Sequence, residues 1–307
     1  VGRPQPAGHR QDVPHPGGRG LTVVGFRLAN VGGRGALVDG DHYYDLEGLA
    51  DGALSPDPMA ALTTPDLLAE LASGLGGRQP TGLVTEATLG PPVPRPRNSY
   101  GVGLNYRSHA EEASMEIPDV PLVFTKFPSC ITGPFDEVRL RSDRCDYEGE
   151  LVVVVGPGGA DIDPADAWDH VVGLTVGQDV SDRHAQFMTQ PPQFNLGKSF
   201  DTFGPIGPVV VSPDCSDDPD DLALTTHVNG EARQDDRTSN MVFPVADLVA
   251  FLSRITTLAT GDIIFTGTPD GIGAAQGLFL ADGDVITTTI DGIGTMTNAC
   301  VRVADWR

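Results

Sequence analysis

Apolar residues along the chain come in short bursts separated by glycine and proline, and the spacing inside each burst distinguishes strand from helix. From Leu21 to Asp45 the bursts are broken at Gly32-Gly33, Gly35 and Gly40-Asp41, which predicts strands joined by tight turns. Thr64-Pro65-Asp66 supplies a helix start, with proline in the first turn where its missing N–H costs nothing. Leu67, Leu68, Leu71 and Leu75 follow at helical spacing until Gly74, Gly76 and Gly77 end it. This helix is expected to close a small β-rich unit. Pro91-Pro92-Val93-Pro94-Arg95-Pro96-Arg97 is too proline-dense for a helix or a central strand and has the stiffness of a linker.

Beyond it the apolar runs are rich in β-branched residues: Leu151 to Val155, Val171 to Val176, Ile206 to Val211 and Ile263 to Thr266. One helix interrupts them, Pro244 to Ile255, with Val245, Leu248, Val249 and Leu252 on one face. The expected fold is mainly β with a few helices. Its parts are a disordered tail over residues 1–20, a small N-terminal β-rich domain over 21–90, a linker over 91–98 and a larger domain over 99–307. With 307 residues, one main core plus a small appendage suffices, and 38 glycines and 26 prolines suit many short elements.

Charge and cysteine usage narrow the function. Against 20 Lys and Arg stand 42 Asp and Glu, a formal charge of -22, so the chain repels a phosphate backbone and nucleic acid is not an expected partner. Acidic runs such as Asp217-Asp218 and Asp220-Asp221 read as solvated surface. Cys130, Cys145, Cys215 and Cys300 form no CxxC pair, which argues against a zinc site or a disulfide framework and for a reducing cytoplasm. No stretch approaches the roughly 20 apolar residues of a membrane span, and the N-terminus is rich in Pro, Gly and His where a signal peptide would be apolar.

Some polar residues lie beside apolar runs and invite a chemical reading. Asp146-Tyr147-Glu148-Gly149-Glu150-Leu151 leads into the run ending at Val155, and in a strand Glu148 and Glu150 share a face. A partly buried carboxylate pair must share a proton, raise a pKa or bind a cation. Asp179, ending the second run, would join them if the two strands are neighbours. Three such carboxylates suit Mg²⁺, Mn²⁺ or Ca²⁺ better than zinc. Taken alone, the pattern also describes a solvent-facing edge. His109 and Glu112 stand at i and i+3 of a polar stretch, the spacing of a general base and its orienting carboxylate, and equally of an exposed helix start. Arg183 and Lys198 could hold a substrate carboxylate or an enolate oxygen, or be surface cations. Thr266-Gly267-Thr268-Pro269-Asp270-Gly271-Ile272-Gly273 is a glycine-rich turn after a strand, neither a Walker A loop nor a dinucleotide fingerprint.

In chain order these segments resemble the fumarylacetoacetate hydrolase superfamily, in its bacterial branch of acylpyruvate hydrolases, oxaloacetate decarboxylases and diketo sugar-acid hydrolases. The resemblance runs from about Tyr100 to the C-terminus. It rests on Gly103-Leu104-Asn105-Tyr106 with His109-Ala110, Phe124-Thr125-Lys126-Phe127-Pro128, Asp146 to Leu151, Gln178-Asp179-Val180-Ser181 with Arg183 and Gln186, Gly197 to Phe203, Val228-Asn229-Gly230-Glu231, and Gly267-Thr268-Pro269. It implies β-sheets rolled into a barrel-like core beside a small N-terminal domain, and a homodimer. It also implies that Glu148, Glu150 and Asp179 bind Mg²⁺ or Mn²⁺, and that His109 and Glu112 activate water on a mobile lid. Lys198 would complete the site, with Arg183, Gln186, Gly267 and Thr268 at substrate-contacting positions. The implied activity is C–C bond cleavage in a small 2,4-dioxo acid of acylpyruvate type. Alternatives are oxaloacetate decarboxylation, 2-oxo acid hydration or isomerisation on the same site, and a catalytically silent metal-binding dimer. The sequence departs from the family pattern at Gln178, where Asn is usual, and at Asp182 and His184, where Ala and Asp flank the arginine.

Overall fold

In the computed structural model, which describes residues 25–306, the valine run forms the strand Gly149–Val155, buried at every position. Leu151, Val153 and Val155 enter one apolar cluster while Val152 and Val154 enter another, because side chains alternate across a strand. A strand covered on both faces needs no polar alternation, which is why this segment reads as an uninterrupted aliphatic run. It pairs antiparallel with Val171–Gln178 on one side and with Ile263–Phe265 on the other. The sheet continues through Gly204–Val211 to the N-terminal strands Arg27–Val31, Arg34–Asp39 and His42–Asp45. At the opposite edge it runs through Ser99–Gly103 to Leu122–Thr125. The tail expected over residues 1–20 lies outside the described residues.

On one face a second, five-stranded sheet and the helix Val245–Ile255 pack against the large sheet. Leu224, Ile290 and Met296 from that sheet and Leu248, Val249 and Leu252 from the helix share a cluster with Leu151, Val153, Leu174 and Val176. The other face is covered by N-terminal residues: Leu28, Leu37, Leu46, Leu62 and Leu68 surround Val152, Val154 and Phe265. Leu68 comes from the helix Pro65–Ser73, which starts after Thr64 and ends at Gly74 as its sequence predicts. Gly35 departs from expectation. It lies inside the strand Arg34–Asp39 and makes no turn; an added Cβ would meet the Leu46 side chain at 2.9 Å, so the glycine admits close packing.

This mainly β architecture brings several chain reversals to one end of the sheet. Because Gly149–Val155 runs antiparallel to both neighbours, its beginning lies beside the end of Val171–Gln178 and the end of Ile263–Phe265. Ser99–Gly103, parallel to Ile263–Phe265, ends there too. Among the described residues no helix is long and apolar enough to cross a membrane.

Candidate active site

At that shared end, Glu148 and Glu150 flank the first residue of the central strand and Asp179 follows the last residue of its partner. Register sets Glu150 opposite Gly177, and the Asp179 N–H donates to the Glu148 carbonyl at 2.8 Å. One carboxylate oxygen from each of the three lies within 4.8 Å of the others, and all three residues are buried.

Buried carboxylates need compensation, and three cations supply part of it. Lys198 Nζ lies 2.6 Å from both Glu148 Oε2 and Asp179 Oδ2, and donates to Ser181 Oγ at 2.8 Å. Lys126, fully buried, places Nζ 2.7 Å from Asp179 Oδ1 and donates to the carbonyls of Phe203 and Lys198. Arg183 Nη2 bridges Asp146 Oδ2 and Glu148 Oε1, each at 2.6 Å. Burial alone would raise Glu148, but Lys198, Arg183 and His109 outweigh it and hold the carboxyl down at about 2. Burial likewise opposes charge on Lys198, and Asp179 and Glu148 overcome it, so the ammonium's pKa is raised.

Glu150 is left over. Among the described residues it accepts a hydrogen bond from the Gly267 N–H at 2.9 Å and forms no ion pair. Burial, then the neighbouring Asp179 and Glu148, push its pKa well above the usual carboxylate range. Four carboxylates (Asp146, Glu148, Glu150, Asp179) thus face three cationic side chains. An oxygen-only donor set with one uncompensated negative charge fits a hard divalent cation, which Glu148, Glu150 and Asp179 would hold.

The imidazole of His109 borders the same space. His109 and Glu112 lie on the helix Arg107–Glu112, with Nδ1 3.6 Å from Glu112 Oε2, and Nδ1 is buried without a hydrogen-bond partner. Glu112 is fixed from elsewhere: the Gly271 N–H donates to its two oxygens at 3.0 and 3.1 Å. Gly267 and Gly271, at φ +100° and +97°, are the two ends of one turn whose backbone N–H groups serve Glu150 and Glu112. Both need glycine. A Cβ on Gly267 would lie 2.7 Å from that of Asn105, and one on Gly271 would collide with the Arg233 carbonyl. Thr268 Oγ1 donates to the Gly149 carbonyl at 2.8 Å and accepts from Gln234 Nε2 at 2.7 Å, tying the turn to the carboxylate strand.

A cavity of about 380 Å³ joins these groups, lined by His109, Glu112, Glu148, Glu150, Arg183, Gln186, Lys198 and Thr268 together with an apolar wall. Residues 98–301 match the fumarylacetoacetate (FAA) hydrolase C-terminal family. The chain belongs to this family. It is 44% identical over 223 residues to the oxaloacetate tautomerase of Bacillus subtilis (strain 168), covering 70% of this chain and 73% of that one. It is 42% identical over 221 residues to the mitochondrial oxaloacetate tautomerase of Homo sapiens, covering 71% and 70%. The crystal structure of maleylpyruvate hydrolase from Sphingobium sp. SYK-6 in complex with manganese (II) ion and pyruvate superposes with a TM-score of 0.76 at 28% identity, covering 90% of this chain and 99% of that one. Relatives in the fumarylacetoacetate hydrolase family are thus named as enzymes.

Every residue singled out in the sequence for the site borders the cavity except Asp179 and Gly267, which act just behind it on Lys198 and Glu150. Arg183 and Gln186 bond each other, Nη1 to Oε1 at 2.8 Å. Gln178 braces the site from behind: its Oε1 accepts the Glu148 N–H at 3.0 Å and its Nε2 donates to Thr288 Oγ1 at 2.7 Å. Asp182 caps Ala185 and His184 pairs with exposed Asp143, so neither departure lines the cavity.

Two contributors were not singled out. Lys126 sits in Leu122-Val123-Phe124-Thr125-Lys126-Phe127, where a lysine inside an apolar stretch is itself the signal, since unpaired lysines are almost never fully buried. Asp146 extends the Glu148, Glu150 spacing by two residues, but its partner Arg183 is 37 positions away and local sequence does not pair them.

Proposed function

We propose that the chain is a divalent-metal-dependent enzyme, using Mg²⁺ or Mn²⁺, that cleaves a C–C bond in a small 2,4-dioxo acid of acylpyruvate type. The supporting observation is that Glu148 and Glu150 of the buried carboxylate triad border the same cavity as the His109–Glu112 pair, with Asp179 directly behind them. When bound by Glu148, Glu150 and Asp179, the cation supplies Lewis acidity toward the 2-oxo acid's oxygens. His109, its Nδ1 3.6 Å from Glu112 Oε2, takes a proton from water, and the resulting hydroxide attacks the distal carbonyl. The bond between that carbonyl carbon and the adjacent methylene carbon then breaks, releasing a carboxylic acid and the enolate of a 2-oxo acid. Lys198 holds positive charge beside the carboxylates and offsets the negative charge that develops.

A second reading, keto–enol interconversion of oxaloacetate, is favoured by the names of the relatives at 44% and 42% identity. It needs a proton shuttle but no attacking water. Steady-state kinetics of His109→Ala with acetylpyruvate and with oxaloacetate, in Mn²⁺, separate the two. Hydrolysis should fall by roughly 10²- to 10⁴-fold, while Mn²⁺ affinity measured by calorimetry should persist. Full hydrolytic activity in the variant would remove His109 as the base. Failure of the parent enzyme to hydrolyse any acylpyruvate, with rapid ketonisation of enol-oxaloacetate, would replace the first reading by the second.

A further inference from the structure

The cavity lining is of two kinds. Glu148, Glu150 and Lys198 are charged, and Phe124, Phe187, Phe194, Met115 and Ile272 form an apolar wall that starts beside Lys198, whose Nζ lies 5.0 Å from the centre of the Phe124 ring. Its three rings meet edge to face: Phe124 and Phe194 at 5.9 Å between centroids and 67° between planes, Phe187 and Phe194 at 6.4 Å and 71°. The array is anchored from two directions. Phe124 projects from the strand Leu122–Thr125 and lies over Gly101, where any Cβ would strike its ring, whereas Phe187 and Phe194 come from the segment that follows the helix Arg183–Gln186.

Charge on the lining is already committed. Among the described residues, the lining side chains that carry a lysine or arginine charge are Arg183 and Lys198. The Arg183 guanidinium is bonded to Asp146, Glu148 and Gln186. The three donors of Lys198 are met by Glu148, Asp179 and Ser181. A second carboxylate at the far end of a substrate would therefore lose water against aromatic rings without an uncommitted lysine or arginine on the lining to meet it. At the cavity mouth Met115 and Phe187 are 54% and 53% exposed, apolar surface that a hydrocarbon tail would remove from water.

We propose that the site selects 2-oxo acids whose distal end is an apolar alkyl or aryl group in contact with Phe187 and Phe194, over dicarboxylic 2-oxo acids. This specificity rests on the reading of the cavity as a 2-oxo acid site and deepens it. It sets the chain apart in substrate from the relatives named for oxaloacetate.

The test is calorimetric titration of the full chain, saturated with Mn²⁺, with pyruvate, 2-oxobutanoate, 2-oxopentanoate, 2-oxohexanoate and 2-oxoglutarate. Each added methylene should lower Kd roughly threefold to fourfold, and 2-oxoglutarate should bind at least about tenfold more weakly than 2-oxohexanoate. In Phe194→Ala the ratio of pyruvate to 2-oxohexanoate Kd should shrink by at least about threefold; the parent series decides the matter even if this variant does not fold. Measurable pyruvate binding with a flat chain-length series, or 2-oxoglutarate binding as tightly as 2-oxohexanoate, would overturn the specificity and leave the 2-oxo acid site standing. Absence of binding by every acid, pyruvate included, would overturn both.

Discussion

Glu150 concentrates the physical tension of this protein, because it is a buried carboxylate with a backbone N–H for company and two other carboxylates nearby. Its raised pKa means that, as pH climbs past the unfolded value of about 4.3, the unfolded chain gives up this proton and the folded chain keeps it. The metal-free fold therefore loses stability with rising pH on account of this group. Glu150→Gln should stabilise the metal-free chain at pH 7 by about 1–3 kcal/mol, a gain that shrinks by pH 4, while weakening Mn²⁺ binding; urea denaturation at the two pH values with EDTA checks the first and calorimetry the second. A lower stability at pH 7 would show that the Glu150 charge is compensated after all. The cysteines behave oppositely to a reactive site. Burial pushes the thiols of Cys130 and Cys145 up and that of Cys300 up to about 12, leaving them neutral at ordinary pH, and Cys215 alone is exposed. A disulfide reagent at pH 8 should titrate one thiol in the folded chain and four in denaturant; rapid reaction of more than one would mean that the segments holding the buried thiols open readily.

At the scale of elements, the helix Val245–Ile255 shows how far periodicity alone can be trusted. Val245, Leu248, Val249 and Leu252 are all buried, as their spacing predicts, and the Gly149–Val155 run is a two-faced core strand, as its lack of polar alternation predicts. Leu248→Ala should cost about 2–5 kcal/mol, the range for removing a fully buried leucine side chain, read as a shift of the urea midpoint. A shift corresponding to less than 1 kcal/mol would mean that the helix does not anchor the sheet. Glycine is the less legible residue. Gly35 looks in sequence like Gly32 and Gly33, yet those two adopt positive φ in a turn and Gly35 lies in a strand under Leu46. Local pattern shows where a side chain is missing; what fills the space comes from a distant element.

For the whole molecule, the balance between four carboxylates and three cations predicts that metal binding stabilises the fold. Mn²⁺ at about 100 times its Kd should add about 2.7 kcal/mol, a rise in Tm of roughly 4 °C for a chain of this size, reversed by EDTA and smaller in Glu150→Gln at the same Mn²⁺ concentration. Equal melting temperatures with Mn²⁺ and with EDTA would count against the triad as a metal site. What the sequence by itself determined is what depends on near neighbours: the mainly β class from β-branched runs and turn residues, the two helices from their spacing, and Glu148 and Glu150 presented together because they stand two residues apart. The family motifs, met in order, extended this to Asp179, His109, Glu112 and Lys198. Only the tertiary structure decided the charge balance, since Lys126 meets Asp179 across 53 positions and Arg183 meets Asp146 and Glu148 across 37 and 35. It also decided that Arg27–Val31 pairs with Gly204–Val211, so that N-terminal leucines cover one face of the central sheet. The aromatic wall of the cavity belongs to the same class: nothing in the sequence groups Phe124, Phe187 and Phe194, because the contact that unites them exists only after strand and loop have packed.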